Sequence, residues 1–360
     1  DGIPIQGSYY WLTTRLRKEM GFKGYVVSDS DAVEYLHSKH GTAQDMKESV
    51  RQVVEAGLNV RCTFRSPDSY VLPLRELINE GSLSMETIDD RVRDILRVKF
   101  LVGLFDAPYQ LDLKQADVEV NSAKNQEVAL QASRESIVLL KNDNNILPLS
   151  KSEIKTISVC GPNADDAAYA LTHYGPLAVD VTSVLQGIKD KVGEENVLYA
   201  KGCEVVDENW PESELMSFPL TEAEQIEINK AVENAKKSDV AVVVLGGNNR
   251  TCGENKSRSS LDLPGHQLEL LQAVYRTGTP VVLVLIHGRP NSINWADKYV
   301  PAILEAWYPG SQGGTAVADV LFGDYNPGGK LTVTVPKSVG QIPFNFPSKP
   351  NSQVDGGAQP

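Results

Sequence analysis

The sequence has 360 residues, of which 41% are hydrophobic and 23% charged, values that are typical of globular domains and exclude a disordered or fibrous chain. This length exceeds what one hydrophobic core usually holds, so two domains are expected. The 35 Lys and Arg against 47 Asp and Glu give a net charge of −12, which argues against a nucleic-acid partner. The longest apolar runs, at 240–245 and 281–286, are six residues long. Because a bilayer span needs about 20, no membrane span is predicted.

The cysteines do not predict a metal site or a disulfide framework. No CxxC pair occurs among Cys62, Cys160, Cys203 and Cys252, and a chain of this length does not need disulfides for stability. We therefore expect four separate thiols and no metal.

The first hundred residues alternate short apolar strands with amphipathic helices. Strands are predicted at 24–29 and 58–64, and Ser84 is the predicted N-cap of a long helix. Further helices are predicted near 8–20, 46–54 and 69–79. Strands that alternate with helices indicate βαβ units and a parallel sheet.

A polar stretch at 106–121, which we interpret as a linker, precedes a second alternation. The runs at 240–246 and 280–286 are apolar without alternation, as expected of central strands covered on both faces. Thr221 and Glu224 form a predicted capping box ahead of a helix. Other strands are predicted at 136–140, 157–160, 196–200, 301–307 and 331–335, and helices at 122–134, 183–192, 221–237, 266–277 and 312–322. This pattern predicts an open α/β/α sandwich.

Two carboxylates follow predicted strands, at the position where parallel α/β sheets bind ligands. Asp29 ends the first strand, and Glu254 lies in the Gly- and Asn-rich loop at 247–258. A pair of carboxylates, one ionised and one holding a proton, is the equipment of glycoside hydrolysis. Two simpler interpretations remain open: Asp29 as a turn former or helix cap, and Glu254 as a solvated acid paired with Lys256 or Arg258.

Two glycine-rich motifs are poor candidates for phosphate binding. The segment at 328–330 resembles the end of a phosphate loop, but Leu331 replaces the required Ser or Thr. Gly310, Gly313 and Gly314 open a helix without forming GxGxxG, so helix packing and turn geometry explain them better.

Ordered motifs along nearly the whole chain resemble those of glycoside hydrolase family 3. The family's nucleophile segment resembles GFKGYVVSD at 21–29, and its acid/base loop resembles GENKSR at 253–258. The beginning and the end of its sandwich domain are similar to RESIVLLKN at 134–142 and NPGGKL at 326–331.

The resemblance implies roles for four side chains. Asp29 would be the nucleophile that forms a covalent glycosyl-enzyme, and Glu254 would act first as general acid and then as general base. Asp31 and Arg258 would be substrate-binding residues near the sugar or the carboxylates. Ser257 stands where family members commonly have Asp, so an ion pair that orients Arg258 is expected to be absent.

The resemblance also implies an architecture. The fold class would be α/β: the C-terminal part of a (β/α)8-type barrel at 1–105, a linker at 106–121, an α/β/α sandwich at 122–345, and a tail at 346–360 that leads to a further domain. Family members carry a complete barrel before the sandwich, so the chain is expected to be a fragment that lacks most of the barrel.

The expected function is a retaining, exo-acting glycoside hydrolase that releases β-linked sugars from the non-reducing ends of oligosaccharides. Xylose is the expected sugar, because Asp31 matches the xylosidase branch and many β-glucosidases have Trp where this chain has Ser30. A β-glucosidase and a catalytically incomplete carbohydrate-binding or scaffold module are the alternatives. The expected partner is an oligosaccharide, without nucleic acid, membrane span, metal or organic cofactor, and the resemblance implies a periplasmic or extracellular location.

Overall fold

The computed structural model describes residues 2–107, 112–120, 122–167 and 179–341. The chain divides into two compact units, Asp1–Asp112 and Leu113–Pro360. The tail predicted at 346–360 lies outside the described residues. Within the described ranges, no helix combines the length and the apolar character that crossing a bilayer requires.

In the first unit, two extended segments lie side by side in parallel. Val27 and Val60 form a parallel bridge, in which the Ser28 amide donates to the Val60 carbonyl over 2.9 Å and the Val60 amide donates to the Val26 carbonyl over 3.1 Å. The two segments run parallel as the βαβ pattern predicted. The paired region is a single bridge and is therefore shorter than the strands predicted at 24–29 and 58–64. Around it lie the 3₁₀ turn Ile5–Gly7, the π-helix Tyr10–Glu19, and the α-helices Ala32–Ser38, Met46–Ala56, Asp68–Asn79 and Met85–Leu101.

The helices of the first unit form where the sequence predicts caps and apolar faces. The Ser84 hydroxyl accepts a hydrogen bond from the Thr87 amide over 3.1 Å, which confirms the predicted N-cap and satisfies an otherwise unpaired helical N–H group. Helix Met46–Ala56 buries one face in a small core that includes Leu36, Val50, Val53, Val54, Leu58 and Leu77.

The second unit contains a six-stranded sheet in the order β1-β6-β5-β4-β2-β3. The strands are β1 (Val138–Asn142), β2 (Ile157–Cys160), β3 (Val197–Ala200), β4 (Val240–Gly246), β5 (Val281–Ile286) and β6 (Ala302–Glu305). All neighbours pair in parallel except β1, which runs antiparallel to β6 at the edge. The helices are Leu113–Glu119, Ala123–Ser136, Val184–Val192, Glu222–Lys236, Gln267–Tyr275, Asn294–Tyr299 and Gly313–Leu321, and 3₁₀ turns lie at Asp143–Asn145, Glu194–Asn196, Glu212–Glu214 and Val339–Gln341.

Helices cover both faces of this sheet. Every residue of β4 is buried, with Val242 and Val244 in one core and Val243 and Leu245 in the other. Helices Val184–Val192 and Gly313–Leu321 contribute to the first core, and helices Glu222–Lys236, Gln267–Tyr275 and Asn294–Tyr299 to the second. The predicted α/β/α sandwich is confirmed, since central strands without alternation need apolar cover on two sides.

The prediction of a strand at 331–335 was wrong, since the structure has no strand there. The alternating pattern of this segment suits a strand, yet Leu331 and Val333 are 42% and 47% exposed. The chain just beyond it is held by side chains instead of a strand ladder: Ser292 Oγ donates to the Pro336 carbonyl over 2.8 Å, and Asn294 Nδ2 donates to the Lys337 carbonyl over 2.7 Å. A strand needs a neighbour to pair with, which a pattern within one segment cannot supply.

Two glycines let helices Val184–Val192 and Gly313–Leu321 approach each other at the backbone level. A Cβ atom at Gly314 would overlap the Ser183 carbonyl, and one at Gly187 would overlap the Gly314 carbonyl. Helix packing therefore accounts for Gly314, as the sequence indicated.

We expect Gly314→Ala to lower the free energy of unfolding by about 1–3 kcal/mol, because the added methyl group forces the two helices apart in a close-packed core. Urea denaturation of the chain measures this change. Gly328→Ala is the matched control, since a Cβ atom there meets nothing within 4 Å. Equal stabilities of the two variants would contradict the close approach.

Candidate active site

Asp29 lies on an exposed turn directly after the parallel bridge of the first unit. Its Oδ1 accepts a hydrogen bond from the Ser30 amide over 2.7 Å, which orients the carboxylate. The base of the turn is buried: Ser28 Oγ accepts from the Cys62 amide over 2.9 Å and donates to the Asp29 carbonyl over 2.9 Å. The turn is thus fixed from below, while the Asp29 side chain is exposed to solvent.

Asp31 ties the same turn to the neighbouring segment. Its backbone adopts the left-handed region with φ of 55°, and its amide donates to the Cys62 carbonyl over 3.1 Å. Its Oδ1 accepts from Thr63 Oγ1 over 2.6 Å, and Arg65 Nε is 3.6 Å from the same oxygen. Asp31 therefore supports the turn that carries Asp29, and its predicted contact with a sugar stays a prediction.

A buried ion pair lies beneath this turn. Arg61 Nη2 donates to Glu34 Oε1, and the two side chains are only 4% and 5% exposed. Arg61 also donates to Ser69 Oγ over 2.8 Å and lies 5.6 Å from the centroid of the Tyr70 ring. Burial raises the pKa of the Tyr70 hydroxyl to about 12. Thr63 Oγ1, 3.3 Å from Glu34 Oε1, links the pair to Asp31. Sequence analysis missed this pair, because no local pattern connects positions 27 residues apart.

In the second unit, the loop at 247–258 begins in a buried turn at the carboxyl end of β4. The Asn248 amide donates to Thr251 Oγ1 over 3.0 Å, and Thr251 Oγ1 donates back to the Asn248 carbonyl over 3.1 Å. Both residues are nearly fully buried. Gln267, fully buried, accepts from the Gly246 amide over 2.8 Å and donates to the Gly246 carbonyl over 2.9 Å. The first stem of the loop is therefore rigidly anchored to the sheet.

The middle of the loop, at 253–257, is exposed throughout. Gly253 and Asn255 have φ of 141° and 58°, values that favour Gly and Asn. Between them, the Glu254 side chain forms no hydrogen bond or ion pair with the described residues. The open alternative that pairs Glu254 with Lys256 or Arg258 is therefore not seen.

Arg258 forms the second stem of the loop, and here an expectation was wrong. An orienting ion pair was expected to be absent because residue 257 is Ser, yet Arg258 Nε donates to Glu214 Oε1 with both side chains under 10% exposed. The partner comes from a segment 44 residues away, which no local motif could reveal. Arg258 Nη2 donates to the Asp262 carbonyl over 3.0 Å, and the predicted contact of Arg258 with a sugar stays a prediction.

Glu214 also holds the backbone that follows Arg258. Its two carboxylate oxygens accept from the Ser259 amide over 3.0 Å and the Ser260 amide over 3.3 Å, and Arg258 lies 5.1 Å from the ring centroid of Trp210. Burial raises the pKa of the Glu214 carboxyl, but the hydrogen bonds from Arg258 and the Ser259 amide outweigh it, so the pKa lies below its usual value. The carboxylate form is therefore the one this site stabilises.

A buried histidine lies at the ends of β5 and β6. His287 Nε2 is 3.0 Å from Glu305 Oε2, with both side chains under 4% exposed. Glu305 Oε1 accepts from the Trp307 amide over 3.0 Å, and Trp307 adopts φ of 55° with its ring 5.6 Å from that of His287. This pair supports the end of the sheet from inside the core.

With this geometry established, two family models match the chain. The glycosyl hydrolase family 3 N-terminal domain matches residues 1–98, and the glycosyl hydrolase family 3 C-terminal domain matches residues 137–358. The chain belongs to glycosyl hydrolase family 3. The predicted family and fold class are confirmed, since the sheet and helices also match solved structures of related enzymes.

Individual relatives cover the chain almost completely. It is 38% identical to a β-xylosidase of Formosa agariphila over 100% of this chain and 49% of that protein. It is 39% identical to a periplasmic β-glucosidase of Salmonella typhimurium over 98% of this chain and 48% of that protein. A solved β-glucosidase from Erythrobacter marinus has a TM-score of 0.85 at 36% identity, covering 96% of this chain and 47% of its own. The chain thus spans about half the length of the curated relatives it matches.

We expect Glu34→Ala to lower the free energy of unfolding by about 3 kcal/mol, because it leaves the Arg61 guanidinium buried without its partner. Glu80→Ala is the matched control: Glu80 pairs with Lys47 over 2.6 Å, but its side chain is 52% exposed, so its loss is expected to cost less than about 1 kcal/mol. Urea denaturation measures both variants, and similar losses would contradict the structural importance of the buried pair.

Proposed function

We propose that this chain supplies both catalytic carboxylates of a retaining, exo-acting β-glycosidase of family 3. Asp29 is the proposed nucleophile and Glu254 the proposed general acid and base. The observation that supports the proposal is shared by the two units: each presents an exposed carboxylate on a turn or loop that directly follows a parallel strand segment. Loops at the carboxyl ends of parallel strands are where α/β folds place their ligands.

Asp29 suits the role of nucleophile. In a retaining mechanism, a carboxylate oxygen bonds to the anomeric carbon while the bond from that carbon to the leaving-group oxygen breaks. Because the Ser30 amide holds Oδ1, the carboxylate is oriented before substrate binds. The buried turn beneath it resists displacement during the attack.

Glu254 suits the role of proton donor. The departing oxygen takes the Glu254 proton in the first step, and the resulting carboxylate accepts a proton from the water that cleaves the glycosyl-enzyme in the second. Glu254 has no partner among the residues that the structure describes and lies in an exposed loop, so it is free to approach the substrate. The mechanism requires the two carboxyl groups to come within about 5–5.5 Å during the reaction.

The test is made on the complete gene product that carries this chain. Asp29→Ala is expected to abolish covalent labelling by a fluorinated glycoside that traps the glycosyl-enzyme, and to lower kcat by about 10⁴-fold or more. Mass spectrometry of the labelled peptide and steady-state kinetics measure these effects. Asp68→Ala, an exposed acid of the same unit, is the control. A label found on another residue would overturn the assignment.

Glu254→Ala is expected to depend on the leaving group. Oligosaccharides, whose departing alkoxide needs a proton, should lose about 10²–10⁴-fold in kcat/KM, whereas a dinitrophenyl glycoside should lose little. Azide, which attacks without base assistance, should restore turnover and form a glycosyl azide. Equal losses on both substrates, together with no azide rescue, would remove Glu254 from the mechanism.

Xylose is the proposed sugar, and glucose is the alternative in the same active site. Relatives of nearly equal identity are named for each sugar, so the proposal rests on Ser30 and Asp31, which match the xylosidase branch. Ser30 is half-buried beside Asp29, and its Oγ lies 3.6 Å from Cys62 Sγ. A residue at this position is placed to set the space next to the nucleophile.

We expect kcat/KM to be at least about tenfold higher for nitrophenyl β-xyloside than for nitrophenyl β-glucoside, since the glucoside carries an additional hydroxymethyl group that the site has to accommodate. Paired assays at equal enzyme concentration measure the ratio. A ratio that favours glucose would assign the chain to the alternative. Binding of xylose oligomers in calorimetry without any hydrolysis would instead favour the carbohydrate-binding module.

The proposed location is the periplasm or the outside of the cell. One relative is named for the periplasm, which supports this location. Fractionation of cells that express the complete gene product tests this location.

A further inference from the structure

The loop that carries Glu254 has two fixed stems and an exposed middle, which Arg289 Nη2 holds at one point by donating to the Lys256 carbonyl over 2.7 Å. The first stem is formed by Asn248 and Thr251, which are buried and hydrogen-bonded to each other. The second stem is Arg258, whose side chain is only 4% exposed. The segment at 253–257 between them is exposed. Where the Glu254 carboxyl can lie therefore depends on how firmly the stems are held.

The second stem is held by one residue from another part of the unit. Glu214, at the end of the 3₁₀ turn Glu212–Glu214, accepts from the Arg258 side chain and from the amides of Ser259 and Ser260. Both carboxylate oxygens are used, and the guanidinium faces the Trp210 ring. Charge-assisted hydrogen bonds in a buried setting are stronger and geometrically more demanding than exposed ones.

Loss of this contact would loosen the backbone on the C-terminal side of Glu254. The next anchor along the chain is the Leu261 carbonyl, which accepts from the Ser292 amide over 2.8 Å and from Asn291 Nδ2 over 2.9 Å. Without Glu214, residues 257–260 would lose this support, and the backbone around Glu254 would be held on that side by the contact from Arg289 Nη2 to the Lys256 carbonyl over 2.7 Å. Glu254 would then sample a larger volume, and small misplacements of a catalytic group cost rate steeply.

We infer that Glu214 is a positioning residue for Glu254, acting through Arg258 and the backbone at 259–260. The inference rests on the proposed role of Glu254. Glu214 therefore acts on the Glu254 loop from outside it, and neither Glu214 nor Trp210 is expected to touch the sugar.

The test compares Glu214→Gln with the wild type in the complete gene product. The amide keeps the size of the side chain but removes its charge, so kcat/KM on xylo-oligosaccharides should fall about tenfold or more, while kcat/KM on a dinitrophenyl xyloside should change less than about twofold. Glu214→Asp, which retains the charge, should recover part of the loss on oligosaccharides. Glu212→Gln, in the same turn but exposed, should behave as wild type.

Three outcomes would overturn the inference: Glu214→Gln indistinguishable from Glu212→Gln, equal losses on both substrates, or no recovery in Glu214→Asp. If Glu214→Gln does not fold, the comparison of Glu214→Asp with Glu212→Gln on the two substrates decides in the same way. Glu254→Ala separates the two proposals. If the loss in Glu254→Ala does not depend on the leaving group, the proposed function fails. If the loss depends on the leaving group in Glu254→Ala but not in Glu214→Gln, only the positioning role fails.

Discussion

The second unit depends on the burial of β4 on both faces. Its side chains alternate between two apolar cores, so polar loop residues can occur only beyond the ends of the strand. Gln267 binds both the amide and the carbonyl of Gly246, which fixes where the strand ends and the loop begins. The loop starts where the apolar cover on both faces of β4 stops. Hydrophobic burial therefore determines that Glu254 follows the carboxyl end of this strand.

In each unit, an exposed carboxylate is supported by a buried ion pair that does not include it. Glu34 and Arg61 lie beneath the turn of Asp29, and Glu214 and Arg258 hold the loop of Glu254. Buried pairs contribute little net stability but are costly to break. They suit a scaffold that holds its geometry while the acid it presents stays accessible, because the resistance to displacement comes from the pair.

The sequence predicted most elements of the fold, since periodicity and caps are local. Ser84 and the Thr221–Glu224 capping box begin helices in the structure as predicted. The failures involve partners distant in the chain. The segment at 331–335 has a strand pattern but no strand ladder, and β1 pairs antiparallel with β6, a direction that its own residues do not encode. Short helices, such as Ala32–Ser38 and Asn294–Tyr299, were too brief to show a periodic pattern.

The sequence by itself determined the family, the α/β class and the candidate residues Asp29 and Glu254, because those depend on residue type and spacing within short motifs. Only the tertiary structure decided what holds them. The Ser at position 257 suggested that Arg258 lacks an ion pair, whereas folding brings Glu214 to it from 44 residues away. A carboxylate can find its partner wherever the buried surface brings the two together, and motif spacing contains no information about such contacts.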